Sequence, residues 1–311
     1  MENLSRANSA FALDLYRAIS ADRPGCKPVL FPAQHQRCTR SVPDVHNNFK
    51  SLNSAINSPK SSYILRLANK LYGEKTFSFL SPGTVTAMTR LALVNAIYFK
   101  GKWKHLFNTE NTNEMPFKIN QKETKPVQMM YQSKKFLFNY VDEYRLQVLD
   151  LPYEEEELSM VVLLPEETQD GSDPLHKLES ELTIDKLLEW TNQEKMDRWT
   201  DINVHLPKFK LEENYSLKGI LDKMGMSSLF QPGTADLTGI SSKEGLFVSS
   251  VEHKAFVEVN EEGTEAAAAT AVMIALCMAR EENFMADHPF LFFIRHNPTK
   301  SILFFGRFSS P

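Results

Sequence analysis

The chain of 311 residues carries 35 basic and 39 acidic residues, a formal net charge of −4. This balance excludes the basic patch of a nucleic-acid-binding protein and a long acidic tail. No apolar run reaches the length needed to span a bilayer, about 20 residues, so no membrane partner is expected. The length suffices for a substantial buried core, although two domains would be the default expectation from length alone.

The cysteine content points to a reducing compartment. Cys26, Cys38 and Cys277 are sparse and odd in number, which is unusual for a disulfide framework. The start Met1 to Ser5 lacks the basic and apolar regions of a signal peptide. We therefore expect a cytoplasmic protein, with unconventional release from the cell as a second option. Cys26, His35 and Cys38 lack a fourth ligand and a paired CxxC, so no metal site or other cofactor is expected.

Hydrophobic spacing predicts the elements of the first third of the chain. A helix is predicted from about Asn3 to Ser20, where apolar residues recur with the helical period. No period is visible from Cys26 to Arg40. A second helix follows over about 45–56, and a strand begins near Tyr63. The run from Leu91 to Phe99 is predicted to be a buried strand with one polar residue, Asn95, which must be hydrogen-bonded there.

The middle of the chain alternates strands and short helices. Strands are predicted at Phe136 to Val141, Arg145 to Leu151, Leu158 to Leu164 and Ile202 to Phe209. Helical spacing occurs at Leu175 to Leu182, Leu187 to Trp190 and Leu217 to Met224, the last ending at Gly225. The acidic run Tyr153 to Glu157 is predicted to be a solvated hairpin tip.

A long connection between two strands then dominates the C-terminal third. Phe256 to Val259 alternates apolar and acidic residues, and Phe290 to Ile294 is an almost continuous apolar strand. The alanine-rich segment between them is long for a connection without structure of its own, and such connections are usually functional or disordered. If this segment became extended, its small side chains would share one side and could fit between the strands of a sheet. Those side chains are Thr264, Ala266, Ala268 and Thr270.

This connection resembles the hinge of the serpins, a family known for inserting a loop into a sheet. The strand His253 to Asn260 leads into it, and Phe284 to Ile294 resembles the C-terminal signature of the family. The hinge in this comparison consists of Glu262, Gly263, Thr264, Glu265, Ala266, Ala267, Ala268, Ala269 and Thr270. The chain is identified as an ovalbumin-type member. The resemblance implies one domain over 1–311 with an α+β fold, three β-sheets, surrounding helices and an exposed reactive-centre loop at about 261–283.

The resemblance also implies the activity, which is inhibition of serine proteases by suicide-substrate loop insertion. Counted from the hinge, the scissile bond is Cys277–Met278, preceded by Ala275 and Leu276. A small residue such as cysteine suits elastase-like and proteinase-3-like proteases, whereas cleavage shifted by one residue would suit chymotrypsin-like enzymes. The implied inhibitor acts as a monomer. Asn95 and His288 match the polar residues of the region where the main sheet opens.

The chain departs from the family in two places. Between Ala21 and Ser41, and between Leu80 and the strand beginning near Leu91, it lacks segments that contain helices and an edge strand of the main sheet. We therefore expect an incomplete serpin fold, which leaves oligomerisation through exposed strand edges open.

Two other functions stay open beside the inhibitor hypothesis. The first is a non-inhibitory or inactive serpin that acts as a binding protein or is a plain protease substrate. The second is cross-class inhibition of papain-like cysteine proteases through the same loop. The sequence contains no GxSxG, HExxH, GxGxxG or phosphate-binding loop. A cysteine in a mobile loop also lacks the fixed base that a nucleophile needs, so catalysis is not expected.

Overall fold

The computed structural model describes residues 2–22, 29–30, 64–72, 89–168, 172–237, 246–261 and 281–311. The α-helices in these ranges are α1 Glu2–Asp22, α2 Pro174–Glu181, α3 Ile184–Trp190 and α4 Lys218–Leu221. The strands are β1 Val29–Leu30, β2 Ile64–Tyr72, β3 Ala92–Lys100, β4 Asn113–Asn120, β5 Glu123–Lys135, β6 Leu137–Val141, β7 Leu146–Pro152, β8 Leu158–Pro165, β9 Asp201–Pro207, β10 Phe209–Ser216, β11 Ser250–Val259, β12 Glu281–Met285, β13 Phe290–His296 and β14 Ser301–Phe308. None of the described helices is long and apolar enough to cross a membrane.

Most predicted elements in these ranges are confirmed, with one correction. The strand predicted from Ile202 to Phe209 divides at Lys208, where the chain passes from β9 to β10. Pro207 ends β9, because proline has no backbone N–H to donate to a ladder. The helix predicted over 45–56 and the stretch 31–40 lie outside the described residues.

A six-stranded sheet in the order β1-β14-β13-β8-β7-β6 forms the centre of the fold. Every residue of β8 and β13 is buried, because this sheet is covered on both faces. Successive side chains of β13 and β14 lie on opposite faces of the sheet and belong to two separate hydrophobic cores. Phe292 and Phe304 join one core cluster with Phe99 of β3, whereas Phe293 and Phe305 join the cluster that α1 covers.

A four-stranded sheet in the order β10-β11-β3-β2 carries the strands that flank the predicted loop insertion. Its central pair, β3 and β11, is parallel, whereas β10 with β11 and β2 with β3 are antiparallel. We call this the main sheet. The third sheet has the order β12-β9-β5-β4, with β12 parallel to β9.

A buried ion pair joins the six-stranded sheet to α3. Arg295 on β13 donates from Nη2 to Asp150 Oδ2 on β7 at 2.7 Å and from Nη1 to the carbonyl oxygen of Thr191 at 3.0 Å. Gln193 Nε2 donates to the same carboxylate oxygen at 3.1 Å. Because Arg295 and Asp150 are 5% and 1% exposed, each charge depends on the other for compensation.

The acidic run at Tyr153 to Glu157 forms the turn between β7 and β8, as predicted, but its first residue is buried. The ring of Tyr153 stacks on Trp103 at 4.5 Å between centroids. Gly101 makes this contact feasible, since a Cβ at that position would lie 2.6 Å from the Tyr153 ring. Lys102 pairs with Glu154 at 3.0 Å, and Lys104 pairs with Glu156.

Candidate inhibitory site

The two ends of the predicted reactive-centre loop lie in different sheets. The chain leaves the main sheet at Val259, the last residue of β11. It enters the third sheet at Glu281, the first residue of β12. The hinge residues Glu262 to Thr270, the flanking residues Ala275 and Leu276, and the bond Cys277–Met278 lie outside the described residues. Their assignment stays a prediction, and the geometry of the site comes from the strands around it.

The parallel pair β3–β11 borders the start of the loop. Its register runs from Ser250 opposite Ala92 to Val257 opposite Phe99. The loop continues from the end of β11, so a segment that folded back toward this sheet would run antiparallel to β11. Because β3 is parallel to β11, such a segment would also run antiparallel to β3 and could pair with both strands at once.

We call the line between the paired strands β3 and β11 the seam. The side chains along the seam alternate between a buried and a partly exposed face of the main sheet. Ile97 and Phe99 of β3, and Ala255 and Val257 of β11, are all at most 3% exposed and belong to one core cluster. On the outer face, Tyr98 and Phe256 stack with 4.8 Å between ring centroids.

Asn95 lies on the buried face in the middle of the seam, where the sequence placed a structural polar residue. Its partner across the β3–β11 pair is His253. Both are buried, at 7% and 2% exposure. Burial lowers the pKa of His253 to about 4, so the imidazole is neutral at physiological pH. Tyr215 of β10 lies on the other side of His253, with 6.2 Å between the centroids of the two rings.

The structure does not bring His288 to Asn95, which corrects the sequence prediction. His288 lies between β12 and β13, outside the main sheet. Its Nε2 is 2.7 Å from the carbonyl oxygen of Pro165, and its Nδ1 is 2.8 Å from Asp287 Oδ1. The histidine opposite Asn95 is His253, whose position in the strand motif gave no sign of the cross-strand partner.

His288 belongs to an ion-pair cluster. Glu167, Asp287 and His288 present ligand-type atoms within 4.8 Å of one another. The ammonium of Lys118, however, contacts Glu167 and lies 3.4 Å from Asp287 Oδ2. Burial opposes ionisation of Asp287, but the hydrogen bond to His288 and the charges of His288 and Lys118 outweigh it and lower its pKa. With a lysine among the carboxylates, the chemistry is that of a salt bridge.

Three contacts fix the proximal end of the loop at Asn260 and Glu261. Trp103 Nε1 donates to the carbonyl oxygen of Asn260 at 2.8 Å. Glu261 is 8% exposed; its Oε2 lies 2.9 Å from Lys208 Nζ, and its Oε1 accepts from Thr112 Oγ1 at 3.0 Å. Burial favours the neutral carboxyl, but the hydrogen bonds from Lys208, the backbone and Thr112 outweigh it and lower the pKa of Glu261.

The distal end of the loop is fixed by the third sheet. Glu281 pairs with Asp201, and the pairing continues to Met285 opposite His205. Phe284 is fully buried in the core, whereas Asn203 Nδ2 donates to Asn283 Oδ1 at 3.3 Å on the other face.

Trp103, Thr112 and Lys208 were not predicted from the sequence to be residues of the site. Trp103 and Thr112 lie near the two ends of the connection between β3 and β4, and Lys208 lies between β9 and β10. They meet at Asn260 and Glu261 only because of the sheet order. No local pattern signals such a meeting. The one available signal was the short segment Gly101 to Trp103, where a glycine allows a close approach directly after a buried strand.

A family profile described as "Serpin (serine protease inhibitor)" matches residues 78–311. The chain belongs to the serpin family. It is 45% identical to the leukocyte elastase inhibitor of Homo sapiens over 380 residues, which covers 100% of both chains. Crystal structures of maspin and of uncleaved ovalbumin superpose on this serpin with TM-scores of 0.89 and 0.87, at 30% and 31% identity and with 99% or more of each chain covered. The predicted ovalbumin-type membership and the α+β fold with three sheets are confirmed.

The comparison with the human relative also bears on the length of this serpin. The alignment covers 380 positions, but the chain has 311 residues. At least 69 aligned positions, the difference between these lengths, therefore face a gap in this chain, although both chains are covered completely. This agrees with the internal losses expected from the sequence. Most of the two stretches where we expected them lies outside the described residues.

Proposed function

We propose that this serpin inhibits elastase-like serine proteases as a suicide substrate, through cleavage of the Cys277–Met278 bond and insertion of the cleaved loop into the main sheet. The family and its leukocyte elastase inhibitor relatives support the coarser function, inhibition of serine proteases. The observation that carries the finer proposal is the parallel β3–β11 pair at the start of the loop.

Cleavage would begin as ordinary proteolysis. The serine hydroxyl of the protease attacks the carbonyl carbon of Cys277 and forms an ester, and the new amino group at Met278 leaves. The arm that ends at Cys277 stays attached to β11, and the protease stays attached to the arm. If this arm enters the seam before water hydrolyses the ester, the protease is carried along with it.

Insertion is favoured by the exchange of ladders in the main sheet. One parallel β3–β11 ladder would give way to two antiparallel ladders, and antiparallel pairing is slightly more stable per residue. Each added backbone hydrogen bond contributes about 0.5–1.5 kcal/mol net. The small side chains of Thr264, Ala266, Ala268 and Thr270 keep the steric cost of entering a packed seam low.

The contacts at the proximal end would control when insertion starts. Lys208 directly precedes β10, which pairs with β11 on the side away from β3. The Lys208–Glu261 ion pair therefore holds the start of the loop toward β10. Trp103, which follows β3, contacts Asn260 from the other side. Rearrangement of both contacts would accompany entry of the loop into the seam.

The residues around the scissile bond define the expected target. A cysteine at the cleaved position is small and suits elastase-like and proteinase-3-like pockets, whereas Leu276 or Met278 would direct chymotrypsin-like enzymes to a neighbouring bond. We propose that the inhibitor acts as a monomer in a one-to-one complex. We also propose a cytoplasmic location, with unconventional release from the cell as a second option; the sparse cysteines support a reducing compartment.

The test of this specificity is incubation with neutrophil elastase, followed by mass spectrometry of the released fragment. We expect a fragment that begins at Met278, and loss of elastase activity in proportion to inhibitor added. The variant Cys277→Arg should lose inhibition of elastase and be cleaved by trypsin-like enzymes. Cleavage of the wild-type chain elsewhere in 262–280, with elastase activity unchanged, would contradict the assignment.

A second candidate function, a plain protease substrate or binding protein, is favoured by the gap of at least 69 positions against the human relative. A sheet that lacks supporting segments would gain less from insertion. Melting temperature before and after loop cleavage separates the two functions, because insertion raises it and simple cleavage does not. Papain and cathepsin-type enzymes in the same panel test cross-class inhibition.

A further inference from the structure

Trp199 is the most exposed large apolar residue in the described part of the chain. It is 77% exposed, compared with 39% for Tyr140 and 37% for Leu106. Single exposed apolar residues are common on protein surfaces, but tryptophan is highly buried on average. A tryptophan can bury about 150–250 Å² of surface in a contact, so Trp199 offers a large apolar area to a partner.

The turn that carries Trp199 is fixed. Its backbone N–H donates to Asp197 Oδ1 at 2.8 Å, and Thr200 Oγ1 donates to Asp197 Oδ2 at 2.6 Å. Asp197 in turn exchanges two backbone hydrogen bonds of 2.8 Å with Phe138 of β6. A partner that covers the indole ring therefore has little backbone entropy to remove on binding.

The position of Trp199 relates it to the scissile bond. It precedes β9 by two residues, and the first pair of the parallel β9–β12 ladder is Asp201 with Glu281. The two strands therefore begin at the same end of the sheet. Trp199 precedes β9 there, and the reactive-centre loop precedes β12. The proposed scissile carbonyl of Cys277 is four residues before Glu281, which limits its distance from that Cα to about 14 Å.

A protease held at that bond would cover the surface around it. A standard protein interface buries about 800 Å² on each partner, which corresponds to a circular footprint of about 16 Å radius. Trp199 lies within about 7 Å of Asp201 along the chain, and Asp201 lies about 5 Å from its partner strand. Together with the limit of about 14 Å from Glu281 to the scissile carbonyl, these lengths allow at most about 26 Å between Trp199 and that carbonyl. A footprint of about 16 Å radius covers Trp199 when the protease binds on the side of the loop that faces the start of β9.

We infer that Trp199 is a docking residue for the target protease, contacting its surface beside the active-site cleft while the cleft holds the loop. The inference rests on the proposed function, because the occupant is the serine protease that cleaves the loop. The contact adds affinity and selectivity independent of the side chain at position 277. Tryptophan is enriched among the residues that dominate interface energies, and the fixed turn places it at the end of the sheet where β9 and β12 begin.

The test compares Trp199→Ser and Trp199→Phe with the wild-type chain and with Leu106→Ser, which removes an exposed apolar side chain elsewhere. Binding is measured against neutrophil elastase whose catalytic serine is replaced by alanine, so that the dissociation constant reports docking alone. The rate of covalent complex formation is measured with active elastase. We expect Trp199→Ser to weaken binding by about tenfold or more, Trp199→Phe to recover most of the affinity, and Leu106→Ser to match the wild type.

The outcomes separate the docking inference from the trapping mechanism. Equal dissociation constants for Trp199→Ser and the wild type would overturn the docking role, even if both form covalent complexes. Failure of the wild type to bind the inactive elastase measurably would overturn it as well. If active elastase cleaves the loop without forming a complex while docking still depends on Trp199, the docking role stands and the trapping mechanism fails. Melting curves check that the variants fold.

Discussion

The pair Asn95 and His253 places one titratable residue at the centre of the seam that insertion would open. The two face each other across β3 and β11, and burial lowers the pKa of His253 to about 4. A protonated imidazole at this position would be a charge in a packed apolar core, which is strongly unfavourable. Acid should therefore weaken the main sheet at this point.

The sign of the pH effect follows from the two pKa values of His253. Between its ordinary value of 6.5 and about 4, the unfolded chain binds a proton that the folded chain excludes, so the free energy of unfolding falls as the pH falls through this window. The loss amounts to about 3 kcal/mol. Urea unfolding of the wild type and of His253→Gln should show that the wild type loses more stability between pH 6.5 and 4. Equal losses would contradict the assignment, and NMR titration of the His253 ring measures the pKa directly.

The Arg295–Asp150 pair supports a second prediction for single residues. Asp150→Ala leaves the guanidinium buried without its carboxylate, and breaking a buried pair in this way costs about 3–5 kcal/mol. The double variant Asp150→Leu with Arg295→Met removes both charges and should be less destabilised than Asp150→Ala alone. Urea denaturation of the three proteins measures the difference. A single variant as stable as the wild type would show that Arg295 finds another partner.

At the level of the elements, the hinge carries the proposed mechanism. Ala268 belongs to the small residues that would share one side of an inserted strand, and Glu265 belongs to the opposite side. A long charged side chain on the inserted side must enter a packed seam, which strongly disfavours insertion. We expect Ala268→Arg to be cleaved by elastase without trapping it.

The matched control for that prediction is Glu265→Arg, which adds the same side chain to the other face of the same segment. It should keep the stoichiometry of inhibition close to that of the wild type, whereas Ala268→Arg should raise the number of inhibitor molecules consumed per enzyme steeply. Titration of elastase activity gives both values. Equal behaviour of the two variants would exclude strand-like insertion in the proposed register.

Local pattern predicted much of the fold, because the apolar strands β3, β8 and β13 have a strong and continuous signal. The break between β9 and β10 was missed, since one exposed residue after a proline does not interrupt the alternation of apolar residues. The placement of His288 was wrong for a different reason. Which polar residues meet in the core depends on strand register, and the register between β3 and β11 is a property of the sheet and not of either segment.

The candidate site was also predicted only in part from the sequence. The hinge and the scissile bond were proposed from a motif, which sequence can supply. The residues that hold the loop at Asn260 and Glu261 come from the connection between β3 and β4 and from the single residue between β9 and β10. Trp199 comes from the connection before β9. Their proximity arises from the sheet orders, so it became visible only in three dimensions.

For the whole molecule, the decisive quantity is the free energy that insertion releases. At least 69 aligned positions of the human relative have no counterpart in this chain, and a domain is stable by only about 5–15 kcal/mol in total. The seam, the buried face of β3 and β11 and the anchored loop ends are nevertheless all in place. We expect them to suffice for trapping.

The most direct test of this account is incubation of the purified chain with active neutrophil elastase, followed by electrophoresis under denaturing conditions. Loop insertion predicts a detergent-stable band of higher mass, in which elastase is joined by an ester to the 35.5 kDa chain shortened by the fragment from Met278 onward. Complete cleavage at Cys277–Met278 without that band would contradict it, because the loop would then be a substrate that the main sheet does not accept.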